Sequence, residues 1–336
     1  MSYESNDMNI STTESIEPIF LFSLPRSGST LVQRILGASD AIKTVSEPWV
    51  LLSILANTSA SDVYAKYYHK QSVRGVKDFI SKLPRGKEDY DEAVRDFVLD
   101  LYSKAASKES IYFLDKTPRY HIVSDRIIDL FPNGKFIFLW RNPLSVIASM
   151  IETWGEGKWN LYRLKVDLFI GLEQLLQTLT EHKDEVWHVR YEDLITDEDS
   201  WKNLFGYLDL AFDKSFLGSL DKVQLEGRYG DQTGTKEYQG ISKEPLHKWR
   251  NTLRNPVRKC WARRYLKWIG SHRLNLMGYN LENLLADLNE VQPSYEYVFS
   301  DLGRMTIGSI RPWIEPQLFK EKIKKMPAMH RVVEHK

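Results

Sequence analysis

Cysteine is almost missing from this chain: Cys260 stands alone among 336 residues. No intrachain disulfide can close, and no cysteine-based metal cluster can form. Long apolar runs are missing as well. Ile19–Phe22 and Phe136–Trp140 are far too short to cross a bilayer and have the length of buried strands. Charge of one sign is not in excess: 46 basic residues face 45 acidic ones, for a formal net charge of +1. A broad phosphate-coating surface, and with it a nucleic-acid partner, is therefore not expected. Met1–Glu17 is polar and acidic with no apolar segment, so no secretory signal is read there and a reducing, cytoplasmic setting is expected.

Apolar residues make up 42% and charged residues 27%, the balance of an ordinary globular enzyme. Residues 1–16 are rich in Ser, Thr, Asn, Asp and Glu and are expected to be a disordered tail. Four short apolar segments then read as strands: Ile19–Phe22, Ile111–Leu114, Phe136–Trp140 and Val186–Val189. Helical patterns separate them, from Gly28 onward and over 48–57, 74–107, 118–130 and 159–182. Another helix starts at Asn142-Pro143, with Asn as cap and Pro in the first position. The expected fold is α/β, with a P-loop-type central parallel β-sheet flanked by α-helices and a mostly helical C-terminal part. The expected organisation is one domain over 17–290 and an extension over 291–336.

The densest motif is Leu24-Pro-Arg-Ser-Gly-Ser-Thr-Leu31, between a strand and a helix. Such a junction aims successive peptide N–H groups and the positive end of the helix dipole at one spot. Gly28 allows an anion close to the backbone. Ser27, Ser29 and Thr30 add hydroxyl donors, and Arg26 adds a permanent cation. The loop departs from a Walker A loop twice, with Ser23 at the leading glycine position and Ser29 at the lysine position. The missing lysine argues against a triphosphate with magnesium and suits a shorter 5′ anion without a metal.

A second anion motif follows the third predicted strand. Arg141 stands at the strand's carboxyl end, where open α/β sheets bind ligands, and Ser149 lies eight residues on, about two helical turns later. Ser145 and Ser149 share a helix face. Two anion sites on one sheet fit a nucleotide phosphorylated at both 5′ and 3′ positions, such as 3′-phosphoadenosine-5′-phosphosulfate.

On Pro25-Arg-Ser-Gly-Ser-Thr30 together with Arg141 and Ser149, the chain resembles the sulfotransferase family that uses this nucleotide, and within it the bacterial branch related to the tyrosylprotein sulfotransferases. Ser46-Glu47-Pro48, Leu114-Asp-Lys-Thr-Pro118 and Glu244-Pro-Leu-His-Lys-Trp249 resemble that branch's catalytic glutamate, its strand-end lysine motif and its late Lys-Trp motif. The resemblance implies transfer of a sulfuryl group to an acceptor hydroxyl, on a carbohydrate, lipid, peptide or small molecule, with no metal required. It implies Glu47 as general base, in surroundings whose partial burial would raise its pKa. Lys116 and Arg26 would stabilise the leaving oxygen. Tyr191, Thr233 and Lys248 would join Arg26 to Thr30, Arg141 and Ser149 in holding the nucleotide, the Gly-rich 227–242 segment acting as a lid. His121 is the other candidate base, and Asp115 is expected to pair with a neighbouring Lys or Arg. A monomer or homodimer is expected, and the lysines and apolar residues of the C-terminal tail fit peripheral contact with an anionic membrane. Two other readings remain open on the residues alone: a P-loop kinase for a small metabolite, and a non-catalytic nucleotide-binding module.

Overall fold

The computed structural model of the protein describes residues 16–56, 69–220, 223, 225 and 241–314. Five parallel strands form its centre: β1 Glu17–Ser23, β2 Ile42–Thr44, β3 Tyr112–Asp115, β4 Lys135–Trp140 and β5 Val186–Arg190, in the order β2-β3-β1-β4-β5. The strands are nearly all apolar because both faces of the sheet are covered. Side chains alternate between the faces. Phe20 and Phe22 turn one way, into a cluster with Phe113, Phe136 and Phe138. Ile19 and Leu21 turn the other way, onto Leu114, Ile137 and Leu139. The aromatic face is layered, with Phe20 and Phe136 rings 5.9 Å apart and Phe22 and Phe138 rings 5.1 Å apart.

The expected parallel α/β sheet is present, with one strand more than the apolar runs indicate. β2 is only Ile42-Lys43-Thr44 and pairs with β3 alone. Its lysine breaks the apolar run and suits an edge strand. Helices α1 Ser29–Leu36, α2 Val50–Ala56 and α6 Pro143–Gly155 follow the expected patterns. Asn142 caps α6 as expected, its side chain accepting from the Leu144 N–H at 2.9 Å.

Three expected helices are interrupted. The 74–107 stretch divides into α3 His69–Ile80 and α4 Lys87–Ala105, because Pro84 and Gly86, the latter at φ +59°, turn the chain between them. The 118–130 stretch opens with a 3-10 turn, Pro118–Ile122, before α5 Ser124–Leu130. That turn carries Tyr120 and His121 inward, and both are buried. The 159–182 stretch becomes a 3-10 turn Leu161–Arg163, a π-helical turn Val166–Gly171 and α7 Leu172–Glu181. The wide turn coincides with a buried carboxylate. Asp167 meets His121 at 3.0 Å and Arg119 at 2.8 Å, and Gly171 lies so close to the His121 ring that a Cβ there would fall 2.5 Å from it.

Beyond β5 the described chain is helical, through α8 Tyr191–Thr196, α9 Glu198–Tyr207 and later helices. Val298–Ile314, within the expected extension, packs Met305 on the core and Gly308 against Tyr162, and is fastened by one carboxylate. Asp301 is fully buried, pairs with Arg258 at 2.6 Å, and accepts from Asn255 Nδ2 at 3.1 Å and from the Trp159 N–H at 3.2 Å. Among the described residues no helix is long and apolar enough to cross a membrane. The tail lysines from Lys320 onward lie outside the described residues.

Removing one partner of a buried ion pair strands the other charge. Asp301→Ala should therefore lower unfolding free energy by about 3–5 kcal/mol, read from urea denaturation. A loss near zero would show that this pair does not hold the C-terminal helix.

Candidate active site at the carboxyl rim of the sheet

In an all-parallel sheet every strand ends at the same edge. The residues singled out from sequence leave five different strands at that edge. Arg26 to Thr30 follow β1, Glu47 follows β2, Lys116 follows β3, Arg141 follows β4 and Tyr191 follows β5. The crevice beside β1, where the strand order reverses, is the usual ligand position in such sheets.

The turn after β1 is strained where it must be tight. Arg26 has φ +70° and Gly28 has φ +91°. Helix α1 begins at Ser29 without a side-chain cap and without an acid in its first turn, which leaves its first N–H groups to an anion. Ser27 and Ser29 are buried in the turn, and Thr30 is half-buried. Glycine at 28 serves a purpose that the motif did not reveal: a Cβ there would fall 2.4 Å from the Tyr191 ring.

Arg26 joins the two anion motifs. Its Nε donates to Ser149 Oγ at 3.1 Å, and its carbonyl accepts from Arg141 at 2.8 Å. Arg141 also donates to the Pro245 carbonyl at 3.0 Å and lies over the Tyr191 ring, 4.6 Å from its centroid. Burial pushes the Arg141 pKa down from its ordinary value, against the pull of Tyr191 and Glu192. Among the described residues no carboxylate pairs with Arg141, and its buried Nε has no hydrogen-bond partner. Tyr191 is a buried residue of the core beneath this guanidinium. The two anion motifs are thus adjacent on one rim.

The second group of residues lies at the ends of β2 and β3. Lys116 Nζ sits 3.0 Å from Glu47 Oε1, with 1% and 12% of the two side chains exposed. Glu47 Oε2 accepts from Trp49 Nε1 at 3.3 Å. Glu47 is thus partly buried, as expected from sequence, and a lysine that the sequence did not pair with it shares its pocket. Asp115 departs from expectation more sharply. Its carboxylate takes three hydroxyl donors instead of a cation: Tyr102 at 2.6 Å, Tyr120 at 2.9 Å and Thr117 at 3.1 Å. Desolvation outweighs those bonds and raises its pKa from 3.8 to about 6.

The remaining candidates are dispersed. Lys248 is exposed and pairs with Glu244 at 3.1 Å. Its segment nonetheless reaches the rim through the Pro245 carbonyl on Arg141. Thr233, Thr235 and the glycines of the expected lid lie outside the described residues. His121 is fully buried against Asp167, and burial lowers its pKa. A ring closed off in this way has no path to an acceptor. Cys260 is exposed and stands apart from these groups.

Two supporting residues escaped the sequence reading. Gln33 of α1 donates to Thr44 Oγ1 at 2.8 Å and to the Val45 carbonyl at 2.6 Å, pinning the chain that leads to Glu47. Glu192 accepts from the Asn142 N–H at 3.0 Å and from the Tyr279 hydroxyl at 2.6 Å, fixing the start of α6. The signal for Gln33 was available, since it is a polar residue on the apolar face set by Val32, Ile35 and Leu36.

A parallel sheet flanked by helices, with two arginine motifs joined at its carboxyl rim, defines a P-loop-type α/β protein. The model of the sulfotransferase family matches residues 18–214, more than half of the chain, and the protein belongs to that family. Among relatives, it is 30% identical over 142 residues to nodulation protein NoeE of Sinorhizobium fredii (strain NBRC 101917 / NGR234), covering 40% of this chain and 31% of that protein. It is 24% identical over 220 residues to the protein-tyrosine sulfotransferase of Drosophila melanogaster, covering 64% of this chain and 42% of that protein. The matches thus span less than half the length of either relative. Among solved structures, the sulfotransferase domain from the curacin biosynthetic pathway superposes with a TM-score of 0.46 at 21% identity, covering 70% of this chain and 91% of that one.

Asp115 supplies a pH test. A carboxyl with a raised folded-state pKa binds its proton more tightly in the fold than in the unfolded chain. Its stabilising contribution is therefore present below about pH 4 and is lost as pH rises through about 6. Asp115→Asn has no such proton. The stability of wild type relative to that variant should fall by about 3 kcal/mol between pH 4 and pH 7, measured by urea denaturation across the range. A difference that does not change with pH would contradict the assignment.

Proposed function

We propose that the protein transfers the sulfuryl group of 3′-phosphoadenosine-5′-phosphosulfate to an acceptor hydroxyl and releases 3′-phosphoadenosine-5′-phosphate. The observation that carries this reading is the joining of the two arginine motifs at one rim, with Arg141 partly desolvated, in no carboxylate ion pair among the described residues, and with Nε unspent. A half-buried cation with a spare donor suits an incoming phosphate. Arg26, Ser27, Gly28, Ser29 and Thr30 would hold the 5′ group, and Arg141 and Ser149 the 3′-phosphate. Tyr191 would support Arg141 from below, and Thr233 and Lys248 would cover the nucleotide. The nucleotide supplies the sulfuryl group and a phosphate leaving group.

Glu47 takes the proton of the acceptor hydroxyl. One consequence follows from its pairing with Lys116. Once Glu47 is protonated it no longer attracts the ammonium, so Lys116 becomes available to stabilise negative charge on the leaving oxygen, alongside Arg26. The Trp49 indole, 36% exposed beside Glu47, offers a flat face to a sugar or phenol ring bearing that hydroxyl.

Calorimetry with 3′-phosphoadenosine-5′-phosphate, ADP and ATP–magnesium tests the reading. The 3′-phosphorylated nucleotide should bind selectively without metal, and Arg141→Ala should weaken it by about 10- to 100-fold, the worth of a charged hydrogen bond. Preference for ATP–magnesium would instead make the protein a kinase. Glu47→Gln should keep nucleotide affinity and slow release of labelled sulfate to water by about 100-fold or more. An unchanged rate would remove Glu47 from the role of base. Labelled donor incubated with host lysate would identify the acceptor.

A further inference from the structure

We propose that Asp115 is a positioning residue for Glu47, acting through the hydroxyls of Thr117 and Tyr120 on the peptide N–H groups of Trp49 and Leu51. The proposal rests on the reading of Glu47 as the base and adds the device that aims it.

The hydrogen-bond polarity is determined by chemistry. An ionised carboxylate only accepts. Thr117 must therefore turn its proton to Asp115 Oδ1 at 3.1 Å, and Tyr120 must turn its proton to Asp115 Oδ2 at 2.9 Å. Each hydroxyl oxygen is then left with lone pairs alone, and each accepts a backbone N–H. The Trp49 N–H donates to Thr117 Oγ1 at 3.3 Å, and the Leu51 N–H donates to Tyr120 Oη at 3.1 Å. These donors lie at the entrance to α2, where a helix leaves its first N–H groups unsatisfied.

That entrance needs holding. Trp49 has φ +60°, a left-handed conformation that a bulky residue adopts only when its surroundings dictate it. Glu47 lies two residues before this strained point. Its carboxylate is gripped by Trp49 Nε1 on one oxygen and by Lys116 Nζ on the other. Lys116 is the chain neighbour of Asp115, so one six-residue span, Asp115 to Tyr120, holds the Glu47 side chain and the backbone of Trp49 and Leu51 just beyond it. The groups facing Asp115 are Tyr102 of α4, Tyr120 of the 3-10 turn, Thr117, and the Lys116 charge. None of them is a second carboxylate that would take over the role.

The test compares Thr117→Val, Thr117→Ser and Tyr120→Phe with wild type and with Glu47→Gln. The readouts are release of labelled sulfate to water from the labelled donor, affinity for 3′-phosphoadenosine-5′-phosphate by calorimetry, and melting temperature. Misplacing a reacting group by about 1 Å costs on the order of 100-fold in rate. Thr117→Val should thus slow sulfate release by about 10- to 100-fold with nucleotide affinity unchanged, and Thr117→Ser should restore it. Tyr120→Phe should act in the same direction and decides the matter if Thr117→Val does not fold. Folded variants that release sulfate at the wild-type rate overturn the proposal, as does a loss that serine does not reverse. If Glu47→Gln alone slows the reaction, the base stands and only the positioning role falls. If Glu47→Gln is as fast as wild type, the base falls and the positioning role falls with it.

Discussion

Arg141 is a permanent cation, half-buried at the rim with its Nε shut off from water, and among the described residues no carboxylate forms an ion pair with it. Two peptide carbonyls and a tyrosine ring support it. Dipoles and a quadrupole orient a charge but do not cancel it. A protein that keeps such a group has a reason beyond stability, since an apolar side chain of similar volume would pack there at less cost. The contrast with Arg258 is direct. That arginine is more deeply enclosed, and Asp301 neutralises it, so that the pair fastens a helix.

The rim divides into two electrostatic halves. Around β1 and β4 stand two guanidinium groups, Arg26 and Arg141, with hydroxyls between them. Around β2 and β3 the charges alternate as carboxylate, ammonium and carboxylate, through Glu47, Lys116 and Asp115. The first half suits a polyanion. The second sets one ammonium between two carboxylates, a net charge of −1 when all three are ionised. The strand order sets the halves side by side, although β1 and β4 lie more than a hundred residues apart in sequence.

What could be read from the chain followed from what burial demands. Strands covered on both faces must be apolar throughout, so Ile19–Phe22 and Phe136–Trp140 announced themselves, and Asn142-Pro143 marked a helix start by local chemistry alone. Arg26, Arg141 and Ser149 were legible as anion-binding types, and their adjacency follows from parallel pairing. β2 was not legible, because an edge strand with lysine at its centre has no periodic signature. The π-helical turn was hidden too, since it coincides with a contact between Asp167 and His121 from distant segments. The same holds for the three hydroxyls on Asp115. A carboxylate beside Lys116 suggested an ion pair, and only the fold reveals that Tyr102 and Tyr120 arrive from elsewhere to replace it.

The sheet has a working end and an idle one. Arg26, Glu47, Lys116, Arg141 and Tyr191 each follow a strand at its carboxyl end, while turns such as Pro132-Asn133-Gly134, which lead into β4, lie at the opposite edge. Length added there shifts no functional atom, whereas one residue added between Trp140 and Arg141 would rotate the guanidinium off the rim. Fusion partners, affinity handles or reporter insertions therefore belong at the amino-terminal turns, and natural length variation among relatives should accumulate there for the same geometric reason.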